Sequence, residues 1–219
     1  MNKLPPDTTM MGGVRRKIVV GLVLMLVAAS SAAFAPHASA AEIFPGHPLR
    51  WSILSANGLY RTVSVNTDLL ASGSVFRNQA SAACGGWQPI PKVNCLMTSF
   101  SSSNVDLSAV TGSSWSSWGC TSSTIALTVP TDTAGRQIFN ATDAANSTGQ
   151  IRYAAIYFAP TTDSATSQSA ARQTNTIMHE IGHVFGMGHV SDSTSLMYTY
   201  QTTITSLSSA DRAVIDSFY

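Results

Sequence analysis

The sequence predicts an α+β domain in which one mixed β-sheet is backed by helices. Two observations lead there. Short segments rich in β-branched residues fall between Tyr60 and Phe158, and two stretches with apolar residues at helical spacing, about Ser167–Phe185 and Leu207–Phe218, follow them. Strands with one helix first, then a long helix, an irregular segment and a last helix, is an order that one sheet with helices packed on it accommodates.

Each element has its own signal. Ala41–Leu49 holds two prolines and a glycine and reads as an extended arm. Tyr60–Asn66 alternates apolar and polar residues, the pattern of a half-buried strand. Leu69 to about Ala83 is free of proline and rich in alanine, which predicts a helix stopped by Gly85-Gly86. Val105–Val110 and Thr124–Val129 are short β-branched segments bounded by turn residues, hence strands. Ser99–Ser123 is dense in Ser, Gly and Trp and is compatible with a surface loop or a set of short strands. Ile151–Phe158 is the strongest strand signal, stopped by Pro160. In the long helix Ile177, Ile181, Val184 and Phe185 share a face and Gly186 ends it. In the last one Ser208 or Ser209 is the cap, and Ala210, Val214 and Phe218 recur every four residues.

Residues 1–40 read as a secretory signal peptide. Arg15-Arg16-Lys17 is a basic cluster, Ile18–Ala29 an apolar run too short to span a bilayer comfortably, and Ala38-Ser39-Ala40 a small-residue cleavage site. The chain from Ala41 on then carries 8 basic and 10 acidic residues, net charge near −2, with no basic patch for nucleic acid. Export makes a disulfide admissible among Cys84, Cys95 and Cys120. Cys84–Cys95 is the most local pairing and Cys95–Cys120 its rival; either leaves one thiol over, and three reduced cysteines are the other option.

The informative stretch is His179-Glu180-Ile181-Gly182-His183. Residues four apart on a helix sit about 40° apart around the axis and about 6 Å along it, so both imidazoles can aim at one point. Zinc accepts such nitrogen ligands, and a catalytic site needs a third protein ligand with one position left open. A helix continuing past Phe185 would carry His189 away, but Gly186 and Gly188 permit the chain to fold back and present it. Glu180 lies on an adjacent line of the helix, beside the metal. A lone HExxH arises by accident in unrelated chains; here the glycine break and the third histidine add two constraints. His47, between Gly46 and Pro48, reads as a loop residue.

At these residues the chain resembles the metzincins, and within them the matrixin-like branch. HEIGHVFGMGH over His179–His189 matches that family's HExxHxxGxxH, Ser195-Leu196-Met197-Tyr198 is similar to its methionine turn, and Leu207–Ile215 with Asp211 is similar to its C-terminal helix. The resemblance implies a twisted mixed sheet with an active-site helix and a small C-terminal subdomain ending in a helix. The catalytic domain is then 41–219, divided into an N-terminal subdomain of about 41–186 and a C-terminal one of about 187–219. By order alone it implies a strand, a helix and three strands ahead of the active-site helix, with Thr124–Val129 as the sheet edge facing the cleft, able to bind an extended substrate as an added strand. The chain departs from the family in lacking a proline after Met197 and clear acidic clusters, so structural calcium is unsupported. A pro-domain with a cysteine switch is not expected either.

The implied function is that of a secreted zinc-dependent endopeptidase. One catalytic Zn2+ is held by His179, His183 and His189, and Glu180 is the general base toward a zinc-activated water. Expected partners are protein or peptide substrates, with no nucleic acid, no membrane once the leader is removed, and a monomeric state. Tyr198 and Tyr200 are placed to line the pocket beside the metal rather than to bind the oxyanion. Two alternatives stand beside this reading. One is a secreted zinc-binding protein whose metal is structural, with Asp192 as the nearby fourth ligand; the other is a zinc hydrolase of non-protein amides.

Overall fold

Six strands form one mixed sheet: β1 (Arg50–Trp51), β2 (Arg61–Leu69), β3 (Val93–Met97), β4 (Val105–Ala109), β5 (Ala126–Asp132) and β6 (Gln150–Phe158). The computed structural model describes residues 42–88, 90–110, 112–159 and 168–219. The leader expected over 1–40, with its cleavage site, lies outside the described residues. The order across the sheet is β3-β2-β4-β6-β5, and β1 pairs with the start of β6. Every pairing is parallel except β5 with β6, so the expected mixed sheet is present and Thr124–Val129 falls where an antiparallel edge strand begins. Among the described residues five helices accompany it: α1 (Val75–Gly85), α2 (Gly112–Ser117), α3 (Ala141–Ala145), α4 (Ala170–Val184) and α5 (Ser209–Phe218). Among the described residues no helix is long and apolar enough to cross a membrane.

The sheet and the helices α1 and α4 enclose the core. Phe76 of α1 stacks on Phe158 of β6 with ring centroids 3.9 Å apart, and Trp87, just past α1, meets Phe185 at the end of α4 at 5.1 Å. Trp87 also donates its indole N–H to the Met178 carbonyl at 3.2 Å, so the ring is buried without leaving its polar atom unpaired. Each of these fully buried aromatic side chains contributes on the order of 1.5–3 kcal/mol of apolar burial. They fix α4, the helix carrying the site, against α1 and the sheet.

Several expectations are corrected. The helix predicted over Leu69–Ala83 begins at Val75, because β2 runs on to Leu69 and Ser74 caps the helix by accepting from Arg77 N at 3.4 Å. Arg77 reaches back to the Leu70 carbonyl at 2.9 Å and holds the intervening turn. Among the described residues four strands, not three, lie between α1 and α4, since Val93–Met97 pairs with β2 as the outer strand β3. Its alternation is weak, and its place is secured by the Cys84–Cys95 disulfide between α1 and β3. That bond selects the local pairing of the two considered and leaves Cys120 as the free thiol. The Ser-, Gly- and Trp-rich stretch is neither a plain loop nor a set of strands: it contains a 3-10 turn (Phe100–Ser102), β4 and α2. The edge strand itself is shifted toward Ala126–Asp132, continuing through Pro130.

Candidate metal centre

Helix α4 starts at the Ser169 cap, which accepts from Arg172 N at 3.4 Å, and ends at Phe185. Gly186 follows with φ of +89°, a left-handed conformation that L side chains avoid. A Cβ at Gly186 would also run into the Leu49 carbonyl, and one at Gly188 into the Glu42 carbonyl. The arm from Glu42 to Leu49 therefore lies directly on the turn that folds His189 back toward the helix.

The three histidines converge. His189 Nε2 lies 3.1 Å from His179 Nε2 and 3.2 Å from His183 Nε2. The other ring nitrogen of each helical histidine faces a backbone carbonyl: His179 Nδ1 is 2.9 Å from Leu196 O and His183 Nδ1 is 2.7 Å from Met187 O. Only a protonated Nδ1 can donate to a carbonyl, so both Nε2 atoms present lone pairs. Ligands on one tetrahedral ion at about 2.0–2.1 Å are separated by about 3.3–3.4 Å, and the two His189 separations, 3.1 and 3.2 Å, come close to that. Unprotonated nitrogens this close repel one another unless a cation lies among them, so the donor set fits a zinc ion. Burial, then the neighbouring His179 and His189 rings, hold the His183 imidazole well below its ordinary value. His189 is shifted to about 4, first by partial burial and then by His179. These two rings are thus neutral, as ligands must be, at any pH near 7.

The methionine turn supports the site from beneath. Met197 is fully buried, and its sulfur occupies the space a Cβ at Gly182 would need. Leu196, whose carbonyl faces His179, is held in turn by Asp211. That carboxylate accepts from Ser195 Oγ at 2.5 Å and from Leu196 N at 3.0 Å, and closes a capping box with Ser208 at the start of α5.

Glu180 is only 6% exposed, and its Oε2 accepts from Thr128 Oγ1 of β5 at 2.6 Å. Burial pushes the Glu180 carboxyl above its ordinary value, while His179 and the Thr128 hydrogen bond pull the other way. A cleft of about 430 Å3 opens in front of these groups, lined by Glu180, His179, His189 and the start of the edge strand. Tyr198 and Tyr200, on the loop that follows His189, line it as expected, and so do Asn175 and Thr176 of α4. Gln201 pins that loop to the helix by donating to Thr176 Oγ1 at 2.8 Å.

Asp192 takes no part. It accepts from Thr194 N at 2.8 Å and Thr194 Oγ1 at 2.7 Å, and among the described residues the convergent metal-binding group consists of the three histidines alone. His47 stays in its loop, its amide bonded to Phe44 O. Sequence reasoning missed Thr128 and Gly182, whose roles depend on contacts from other elements, and it had Asp211 only as part of a helix match.

A buried glutamate beside three convergent imidazoles, on a helix packed against a mixed sheet, is the arrangement of a metal-dependent peptidase. The family model described as Matrixin matches residues 76–219, and the chain belongs to that family: it is a zinc metalloendopeptidase of the metzincin type. The match begins in α1, far upstream of the region, roughly Ile177 to Tyr219, that carries the resemblance in the sequence. No curated protein sequence matches the chain. Among solved structures it is similar to the one titled "Structure of myroilysin", with 11% identity, a TM-score of 0.43, and coverage of 72% of this chain and 92% of that chain.

Proposed function

We propose that the protein is an exported endopeptidase in which His179, His183 and His189 hold one catalytic zinc ion and Glu180 is the general base. The observation that carries this reading is the convergence of three Nε2 atoms, with His189 3.1 and 3.2 Å from the other two, beside a cleft that Glu180, His179 and His189 line. When bound, zinc polarises a scissile carbonyl and acidifies a water molecule. The chain's own groups do the rest. Thr128 engages Glu180 Oε2 and so assigns Oε1 to take the proton from the attacking water and return it to the leaving amine. Edge strand β5 offers backbone groups to an extended peptide, which orients the scissile bond across the cleft.

Secretion rests on the basic, apolar and small-residue order of residues 1–40, with maturation after Ala40 and subdomains of about 41–186 and 187–219 on either side of the cleft. The Cys84–Cys95 disulfide accords with an oxidising compartment. A purely structural metal is the weaker reading, because Asp192, the nearby carboxylate considered as its fourth ligand, is spent on its own turn. A quenched-peptide assay with and without a chelator, paired with Glu180→Ala, tests the proposal. The variant is expected to retain stoichiometric zinc and lose nearly all turnover. Undiminished cleavage by Glu180→Ala, or by metal-free protein, would reject it.

A further inference from the structure

The turn that delivers His189 is held peptide by peptide from outside the zinc motif. The Phe185 carbonyl accepts from the Tyr219 hydroxyl at 2.9 Å. The Gly186 carbonyl accepts from Ile43 N at 3.1 Å, and Met187 forms an antiparallel bridge with Glu42. The Met187 carbonyl in turn meets His183 Nδ1. The Tyr219 hydroxyl also accepts from Trp51 N of β1 at 2.8 Å, so the turn is referenced directly to the sheet.

The geometry points to Tyr219, acting with the Glu42–Ile43 arm, as a positioning residue that sets the place of the third metal ligand, His189. A hydroxyl that donates to Phe185, the C-cap of α4, and accepts from β1 fixes the point from which the chain reverses at Gly186. The arm then closes over the next two peptides, and the ion pair between Arg50 and Glu42 at 3.0 Å ties it down. Arg50 also lies over the Phe218 ring, 3.6 Å from its centroid, which joins the arm to the end of α5. Burial pushes the Tyr219 phenol up to about 12, against the pull of the Trp51 amide and of Arg50 and Arg61, so the donor to Phe185 persists at neutral pH. Three imidazoles must meet within a few tenths of an ångström, and two ride on a rigid helix; the third owes its position to this clasp.

This rests on His189 being a ligand, and the experiment separates the two claims. Tyr219→Phe keeps the ring and removes only the hydroxyl. Zinc affinity, read by competition with a chromogenic chelator, is expected to fall about tenfold, the lower end of what outer hydrogen bonds to a metal site contribute. The visible absorption band of the cobalt-substituted variant is expected to shift, reporting altered ligand geometry. Ile43→Pro, which deletes the amide donor to Gly186, is expected to change both readouts in the same direction, and it decides the matter if Tyr219→Phe does not fold. Zinc affinity within twofold of wild type and an unchanged cobalt spectrum, with only thermal stability reduced, would overturn the proposal. Failure of the wild type itself to bind zinc would instead sink the ligand assignment, and this inference with it.

Discussion

Thr128 Oγ1 lies 2.6 Å from Glu180 Oε2 and 3.1 Å from the Glu180 carbonyl oxygen, so one hydroxyl on the edge strand touches both the backbone and the side chain of the proposed base. A hydrogen bond to a charged group contributes about 1.5–3 kcal/mol. Thr128→Val, which preserves shape, is therefore expected to lower kcat by about 10- to 100-fold while zinc content stays stoichiometric. Thr128→Ser should recover most of the loss. Steady-state kinetics on a peptide substrate decides it, and a wild-type kcat in the valine variant would remove Thr128 from the machinery.

Gly182 is required by its neighbour rather than by its own backbone. An added methyl would meet the Met197 sulfur, which is fully buried. Gly182→Ala is expected to cost about 1–3 kcal/mol of stability through overpacking. Gly186→Ala should cost more, because it adds a left-handed φ and faces backbone, the Leu49 carbonyl, which cannot swing aside. Urea denaturation of the two variants should rank them in that order.

Asp132 supplies a pH dependence. Its carboxylate is fully buried and accepts from Ala134 N and Arg136 N at 2.9 Å and from Thr148 N at 3.0 Å. Burial raises its pKa, but the three amides and the Arg136 charge outweigh that, and the net shift is below the ordinary value. The unfolded chain then binds the proton more readily, so the stabilisation is present above about pH 4 and is lost as pH falls below it. Wild type should exceed Asp132→Asn by about 1–3 kcal/mol at pH 7, with the gap narrowing on acidification. A gap that stays constant down to pH 2 would contradict the assignment.

The cysteines allow a count. Native protein should offer one thiol, Cys120, and reduced, denatured protein three. Burial and then the Glu180 charge push the Cys120 thiol up, so its labelling at neutral pH is expected to be slow. Reduction of Cys84–Cys95 to two thiols opens this short loop, removes a constraint worth about 3 kcal/mol and should lower the denaturation midpoint accordingly.

What could be read from the residues followed the range of the forces involved. The convergence of the three histidines was legible because the spacing of His179 and His183 is a local property of a helix and the glycine break before His189 is a local property of backbone freedom. The last helix was legible from its cap and its four-residue repeat. Strand β3 was not, since Val93–Met97 owes its place to pairing with β2 and to a bond from α1. The start of α1 was misplaced because alanine density says nothing about where β2 ends. Thr128 was invisible as a partner of Glu180, because the contact joins residues 52 apart in sequence and exists only once the sheet edge lies against α4.

Helix α5 supplies no ligand, yet Asp211 at its beginning grips the loop under His179 and Tyr219 past its end grips the turn before His189. Unseating α5 would therefore loosen the supports of His179 and His189 together, so a packing defect far from the zinc motif would register as weakened metal binding.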